Sequence, residues 1–191
     1  MNYNIIIDEF DKNISNYIKR LETNLKDISF DPDKSVNFII SSELDSKSLF
    51  PYKKQQGVYL FEINLDSPNL VGSKRATRII NFAKDWSKKK NDSFFSSSII
   101  KKRLKLRTDF DEQWLPLYIG KNKDIYNRIK EHIDLSPGKN TYAMKLRHRP
   151  CLHGLEFRVS TIEFDVTNYD FIVPHIERSL REEYHPIVGK Q

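Results

Sequence analysis

The sequence predicts an α/β (α+β) domain, a small three-stranded sheet packed by helices, with a helical arm ahead of it and a long insertion inside it. Three observations lead there. Compact apolar runs at Gly57–Ile63, Leu115–Gly120 and Leu155–Asp165 have the length and bounding turn residues of strands. Segments with apolar residues at steps of three and four stand before, between and after them. The first two strand candidates would otherwise close a hairpin, yet the chain between them far exceeds a hairpin loop, and an insertion of that size is more often functional than incidental.

The elements follow in order. Ile7, Phe10, Ile14, Ile18, Leu21, Leu25 and Ile28 mark an amphipathic helix that Asp31-Pro32-Asp33 stops. Val36 to Ile40 is a further short strand candidate outside the three. The first sheet strand is closed by Asp66-Ser67-Pro68. Ser73 to Lys90 reads as a helix with Ile79, Ile80, Phe82, Ala83 and Trp86 for a buried side. A second basic segment runs to Arg107. After the second strand, Asp124 to Ile133 is a helix with the stripe Ile125, Ile129 and Ile133. Thr141 to Arg149 is expected as a short helix, and Val173 to Tyr184 as the last one, with Pro174 in its first turn. The division is a helical arm over 1–56 and one domain over 57–191, with a basic helical insertion at about 66–113. There are no internal repeats.

At 191 residues the chain is long enough for one domain with a real core. No apolar run approaches the roughly 20 residues that span a bilayer. The first residues lack the basic and apolar regions of a signal peptide, so the cytoplasm is the expected location. Cys151 is the only cysteine, which excludes an internal disulfide and a multi-cysteine zinc site. The net charge of +6 is moderate, but its distribution is uneven. Lys74, Arg75, Arg78, Lys101, Lys102 and Arg103 belong to a cationic block reaching Arg107 that holds only Asp85 and Asp92 as acids. Such a block suits a polyanion, because each neutralised phosphate releases counterions. The competing reading is a solvated helix face. Lys145, Arg147 and Arg149 form a second basic segment.

The residues able to carry chemistry are few. Tyr59 and Tyr118 each occupy a strand beside a glycine. Singly they read as packing; together in one pocket, beside a cation that lowers its pKa, a tyrosine can act as general base for a water. Arg128 and His132 are four apart on one helix and flank its apolar stripe, at the edge of the helix–sheet contact. A guanidinium there suits a phosphate and its developing charge. His132 can orient a tyrosine or a water, relay a proton, or simply be a satisfied boundary residue. On the last helix Glu177 and Glu183 both border the apolar face, and helical geometry does not choose between them; Glu182 points away. One carboxylate in a phosphate cleft suits magnesium, which keeps most of its waters.

Gly57-Val58-Tyr59, Leu117-Tyr118-Ile119-Gly120, Arg128, His132, Glu177 and Pro186 resemble, in order and spacing, the motif series of the GIY-YIG nucleases. Arg128 stands eight positions after Gly120, and Pro186 nine after Glu177, with Leu180 between. The resemblance selects Glu177 over Glu183 and covers Gly57 to the C-terminus without the insertion. It implies a mainly antiparallel sheet, Tyr59 as general base, Tyr118 in support of the water or the phosphate, Arg128 on the phosphoryl group, and Glu177 as ligand of Mg2+ or another divalent cation such as Mn2+. His132, with Lys121 (or Lys123) just after the second motif, resembles the restriction endonucleases of that family. The sequence departs at Asn122, where serine or threonine is usual, and at Gly189, where many members carry an asparagine, with Gln191 and Asn140 as the candidates to replace it and the set otherwise incomplete there. The expectation is a magnesium-dependent DNA endonuclease, restriction-like or phage-defensive, acting on double-stranded DNA with neither a membrane nor a small-molecule cofactor. Cutting both strands with one site per chain needs a homodimer or two sequential events, or else stops at nicks. The alternative is a nucleic-acid-binding protein on the same fold that does not cut.

Overall fold

Apolar residues on both faces of one strand oblige it to sit in the middle of a sheet. The computed structural model describes residues 3–87, 100, 102–104, 112–139 and 141–189, and in it β2 (Gln56–Asn64) is that strand, buried from Gly57 to Asn64. It pairs antiparallel with β3 (Trp114–Asn122) on one side and with β4 (Glu156–Phe164) on the other. β1 (Val36–Ile39) adds antiparallel to the outer edge of β4, so the order is β1-β4-β2-β3. The architecture is α+β, but the sheet has four strands rather than the expected three. The fourth is the short strand candidate at Val36–Ile40, too short for its alternation to place it in the sheet. Phe38 is its one fully buried side chain, stacked on Phe157 of β4 with ring centroids 6.1 Å apart. The segment 1–56 therefore supplies a strand as well as helix.

Alternation along β2 divides the molecule into two cores. Tyr59, Phe61 and Ile63 face α4 (Ile125–Asp134), through Ile125, Ile129 and Ile133, and also Ile79, Phe82 and Trp86 of α3 (Arg75–Ser87). Val58 and Leu60, with Ile119 of β3, face Val173, Ile176 and Leu180 of α5 (Tyr169–Tyr184). α5 begins before the expected Val173, so Pro174 lies past the first turn, where it removes one helical hydrogen bond. The expected helix over Thr141–Arg149 is instead irregular backbone with two single 3-10 turns, Leu146–His148 and Pro150–Leu152, because Lys145 takes a left-handed conformation that no helix continues through.

α1 (Tyr3–Asn24) has no fully buried residue. Ile14 and Ile18 are partly buried and Leu21 packs on the α5 core, whereas Tyr3, Ile7, Phe10 and Tyr17 remain exposed. α2 (Ser46–Leu49) is one turn, capped by Asp45, with its Ser46 hydroxyl donating to Asp134 of α4.

One irregularity in the sheet matters for the site. The register shifts between Phe61 and Glu62 of β2, which oppose Tyr118 and Pro116, leaving Leu117 as an extra residue in β3. A bulge reverses the alternation beyond it. Leu115 and Leu117 join the α4 core, and Tyr118 is packed against that same core, whereas Ile119 points to the α5 core. The bulge thus delivers Tyr118 to the face that holds Tyr59. Pro116 is accommodated because β3 is an edge strand. The C-terminal segment runs along that edge, with the Ile187 N–H donating to the Pro116 carbonyl (3.2 Å) and the Val188 N–H to that of Leu117 (2.8 Å).

Candidate active site

Where the apolar stripe of α4 docks on β2 and β3, the residues flanking it are carried into the seam. α4 starts there because Asp124 caps it, accepting the Asn127 N–H at 3.2 Å. His132 lies fully inside the seam, and Arg128 at its half-buried edge. Tyr59 comes from the strand beneath, with its ring centroid 6.1 Å from that of Tyr118 and 5.5 Å from the His132 ring. The rings of Tyr118 and His132 are 4.8 Å apart. Tyr59, Tyr118, Arg128 and His132 therefore form one cluster.

The hydrogen bonds fix the tautomer of His132. Its Nδ1 accepts the Met144 backbone N–H at 3.0 Å, so no proton sits there. Burial, and then the neighbouring Arg128 charge, hold the imidazole pKa well below its ordinary value. The ring is neutral, its one proton is on Nε2, and that N–H donates to the Tyr59 hydroxyl oxygen 2.9 Å away. Of the roles open to His132 in the sequence, this pattern selects orientation of Tyr59. A ring that donates to the phenol cannot also take the phenol's proton.

Both phenols are held in the neutral form. Burial raises the Tyr59 pKa well above its usual value, Tyr118 adds to this, and Arg128 opposes it. Burial likewise raises that of Tyr118, again opposed by Arg128. Glu131, one turn on from Arg128, accepts a hydrogen bond from the guanidinium. Gly120 makes the arrangement sterically feasible. A Cβ there would lie 2.5 Å from the Tyr59 hydroxyl and 2.7 Å from Tyr118 Cε1.

Glu177 sits on α5, across the edge strand. Lys121 has the same alternation as Ile119 and reaches that side, its Nζ 3.0 Å from Glu177 Oε2, while Arg181 donates to Oε1. Glu177 is buried and Glu183 exposed, so burial separates the two carboxylates that helical geometry had left equal. The charge of Glu177 raises the proton affinity of both phenols, which links the two halves of the site electrostatically. Among the described residues no group of three or more His, Cys, Asp or Glu gathers as a metal cluster. The donor set for a divalent ion here is one carboxylate. That suits Mg2+, which keeps several waters and takes one or two protein oxygens. Lys121, the more exposed of the two cations on Glu177, is the partner that can release an oxygen to it.

Gly189 packs on Tyr118 from the other side. Its φ is +100°, and a Cβ would lie 2.8 Å from two Tyr118 ring carbons, so no asparagine fits here without moving that tyrosine. Arg103 holds the turn in place by donating to the carbonyls of Pro186 (3.2 Å) and Gly189 (2.7 Å). Asn140, Gln191 and Lys101 lie outside the described residues.

Most of the arginines and lysines expected on DNA are engaged within the protein. Arg75 forms a two-pronged pair with Asp66, and Arg78 donates to the carbonyls of Leu65 (2.7 Å) and Gly72 (2.8 Å). Arg103 is buried as described. Lys145 donates to the carbonyls of Pro137 (3.2 Å) and Lys139 (2.7 Å), and Arg147 to that of Leu44 (3.0 Å). Lys74 and Lys102 are exposed. Sequence reading missed Arg181 and Glu131, although their spacing from Glu177 and Arg128 on a helix made them legible. It also missed the Met144 N–H, which no side-chain pattern reveals.

Neutral burial of His132 makes stability pH-dependent. The unfolded chain binds a proton below about pH 6.5 that the folded chain refuses, so unfolding free energy falls as pH drops through that value, by up to about 1.4 kcal/mol per pH unit. Denaturant melts of wild type and His132→Gln between about pH 6.5 and pH 5 should show the smaller slope in the variant; equal slopes would contradict a neutral buried imidazole. Gly120→Ala should cost roughly 1–3 kcal/mol by overpacking the two phenols, measured in the same melts.

No family model matches the chain, and neither the curated proteins nor the solved structures yield a significant match.

Proposed function

We propose that the chain is a metal-dependent DNA endonuclease of the GIY-YIG type, restriction-like or phage-defensive in role. The observation that carries this reading is the meeting of Tyr59, Tyr118, Arg128 and His132 in one seam, with a buried carboxylate, Glu177, across the edge strand. A core built for packing alone has no use for two phenols, an imidazole and a guanidinium at one point, since each polar group costs free energy to bury.

The roles follow from the bonds. As general base Tyr59 takes the proton of an attacking water, and it must do so as a phenolate. The His132 Nε2–H, already aimed at its oxygen, stabilises that anion by donating to it. The Arg128 guanidinium lies beside both phenols and favours negative charge there. It also suits the phosphoryl oxygens as charge builds on them. Tyr118 positions the water or the phosphate. A divalent cation held by Glu177 would supply positive charge to the transition state and the leaving oxygen.

The deciding assay is supercoiled plasmid with and without magnesium, beside Tyr59→Phe and Glu177→Ala. Wild type should nick or linearise the plasmid only with the metal, and both variants should lose on the order of a hundredfold or more in rate. Variants that cut like wild type would remove these residues from the chemistry. An inert but DNA-binding wild type would instead establish the non-cutting reading, which the glycine at 189 favours.

The raised Tyr59 pKa sets the pH profile. If the phenolate is the base, the cleavage rate should climb close to tenfold per pH unit from about pH 7 to about pH 9 without levelling. A plateau below about pH 8 would assign the base to another group.

A further inference from the structure

The arginines expected on DNA are largely used inside the protein, yet the fold assembles a basic surface the sequence does not display. Between the outer face of α4 and the chain around residues 46–54 runs a groove of about 630 Å3. Lys47, Lys53, Lys54, Lys130 and Lys139 line it, gathered from separate stretches of the chain. The acids in its wall are already committed. Glu131 pairs with Arg128 and Asp134 with Arg147 (3.4 Å), while Asp124, as the cap of α4, sits on the positive end of that helix. Among the described residues Lys53 pairs with Glu163, whereas Lys47, Lys54 and Lys139 enter no ion pair. With Lys53, Glu131 and Asp134 paired, the remaining lysines outnumber Asp124 and the groove presents net positive charge.

An aromatic ring stands at its rim. Tyr52 is 93% exposed, and Lys130 Nζ sits 4.6 Å from its ring centroid. An aromatic so open packs on nothing large; with a cation at one face it offers the other as a stacking platform. Aromatic rings alternating with lysines are the recognition chemistry of an unpaired nucleic-acid strand, phosphates on the ammonium groups and a base on the ring. Continuity with the candidate site comes through α4: Glu131 lines the groove and holds Arg128, so a strand lying here runs toward that guanidinium.

We propose that this groove binds single-stranded DNA next to the scissile phosphate, with a base stacked on Tyr52, so that the preferred substrate carries an unpaired segment there. The proposal rests on the nuclease reading for the position of the cut, but binding itself can be measured apart from it. The test uses the full chain in EDTA, with a fluorescently labelled single-stranded 15-nucleotide DNA and its duplex as probes. Tyr52→Ala should weaken single-strand binding about tenfold and leave duplex binding within about twofold. Replacing Lys47, Lys54 and Lys139 together by Ala should reduce the salt slope of single-strand binding by about 2, since each lost phosphate contact removes about 0.7. All four side chains are exposed, so equal melting temperatures confirm that folding is intact. Single-strand affinity within twofold of wild type for Tyr52→Ala, or an unchanged salt slope in the triple variant, would overturn the proposal. Plasmid cleavage without groove binding would overturn this inference alone, and groove binding without any cleavage would overturn the nuclease reading alone.

Discussion

One hydrogen bond ties the molecule together: the His132 Nε2–H to the Tyr59 hydroxyl, between the central strand and α4, with both groups out of water. The Nε2–H has this oxygen as its acceptor, and a buried donor left unpaired costs about 1–3 kcal/mol. The bond is one link of a longer series. Trp86 of α3 carries the Arg149 guanidinium 4.2 Å from its ring, Arg149 donates to the Met144 carbonyl at 2.8 Å, and the Met144 N–H holds His132. The inserted helix, the irregular loop after α4 and the central strand are thus aligned by groups that must all be in place for any one to be satisfied. The irregular backbone before the left-handed Lys145 leaves the Met144 N–H free to make this bond.

The bulge in β3 has the second claim on the design. Tyr118 would face α5 if alternation ran unbroken, and the phenols would be separated by the thickness of the sheet. One extra residue reverses this and leaves Ile119 and Lys121 on the α5 side. The edge strand thereby contributes a phenol to one face and an ammonium to the other. Its free edge is covered by the Ile187–Val188 segment, which keeps Gly189 against Tyr118.

Much of this was written in the sequence, unevenly. The three longer strands were legible as apolar runs between turn residues, and the helices around Ile14, Ile79, Ile129 and Ile176 because each repeats a period over enough residues. β1 was legible only as a short strand candidate at Val36–Ile40, and its place in the sheet was not, because one buried side chain in four residues makes no period. Helical angle alone placed Arg128 and His132 at the edge of a stripe; Arg128 is there, half-buried, whereas His132 is fully buried inside the seam, because the neighbouring loop closes over it through the Met144 N–H. Charge was the misleading quantity. A run of cations reads as a surface, but Arg75, Arg78 and Arg103 turn inward to carbonyls and a carboxylate, as guanidinium groups do when loops need donors. The lysines that do gather are scattered in sequence, and only folding brings them together. Neither the bulge nor the proton on Nε2 could be read beforehand, since both depend on backbone geometry.

The strand order also governs how the chain comes together. β2 has no partner close by in sequence: β3 follows only after the insertion, and β4 later still. Each ladder closes a long loop, and that entropy is lost before the contacts repay it, so no local hairpin can seed this sheet. During synthesis the most apolar strand waits unpaired while the insertion emerges, and its other edge waits further, through α4 and the loop after it, for β4. The edge of β3 is sealed later again, by backbone that follows α5. Assembly of this kind is slow and exposes an unpaired strand for longer than a meander of the same size, which makes the growing chain a natural client for chaperones.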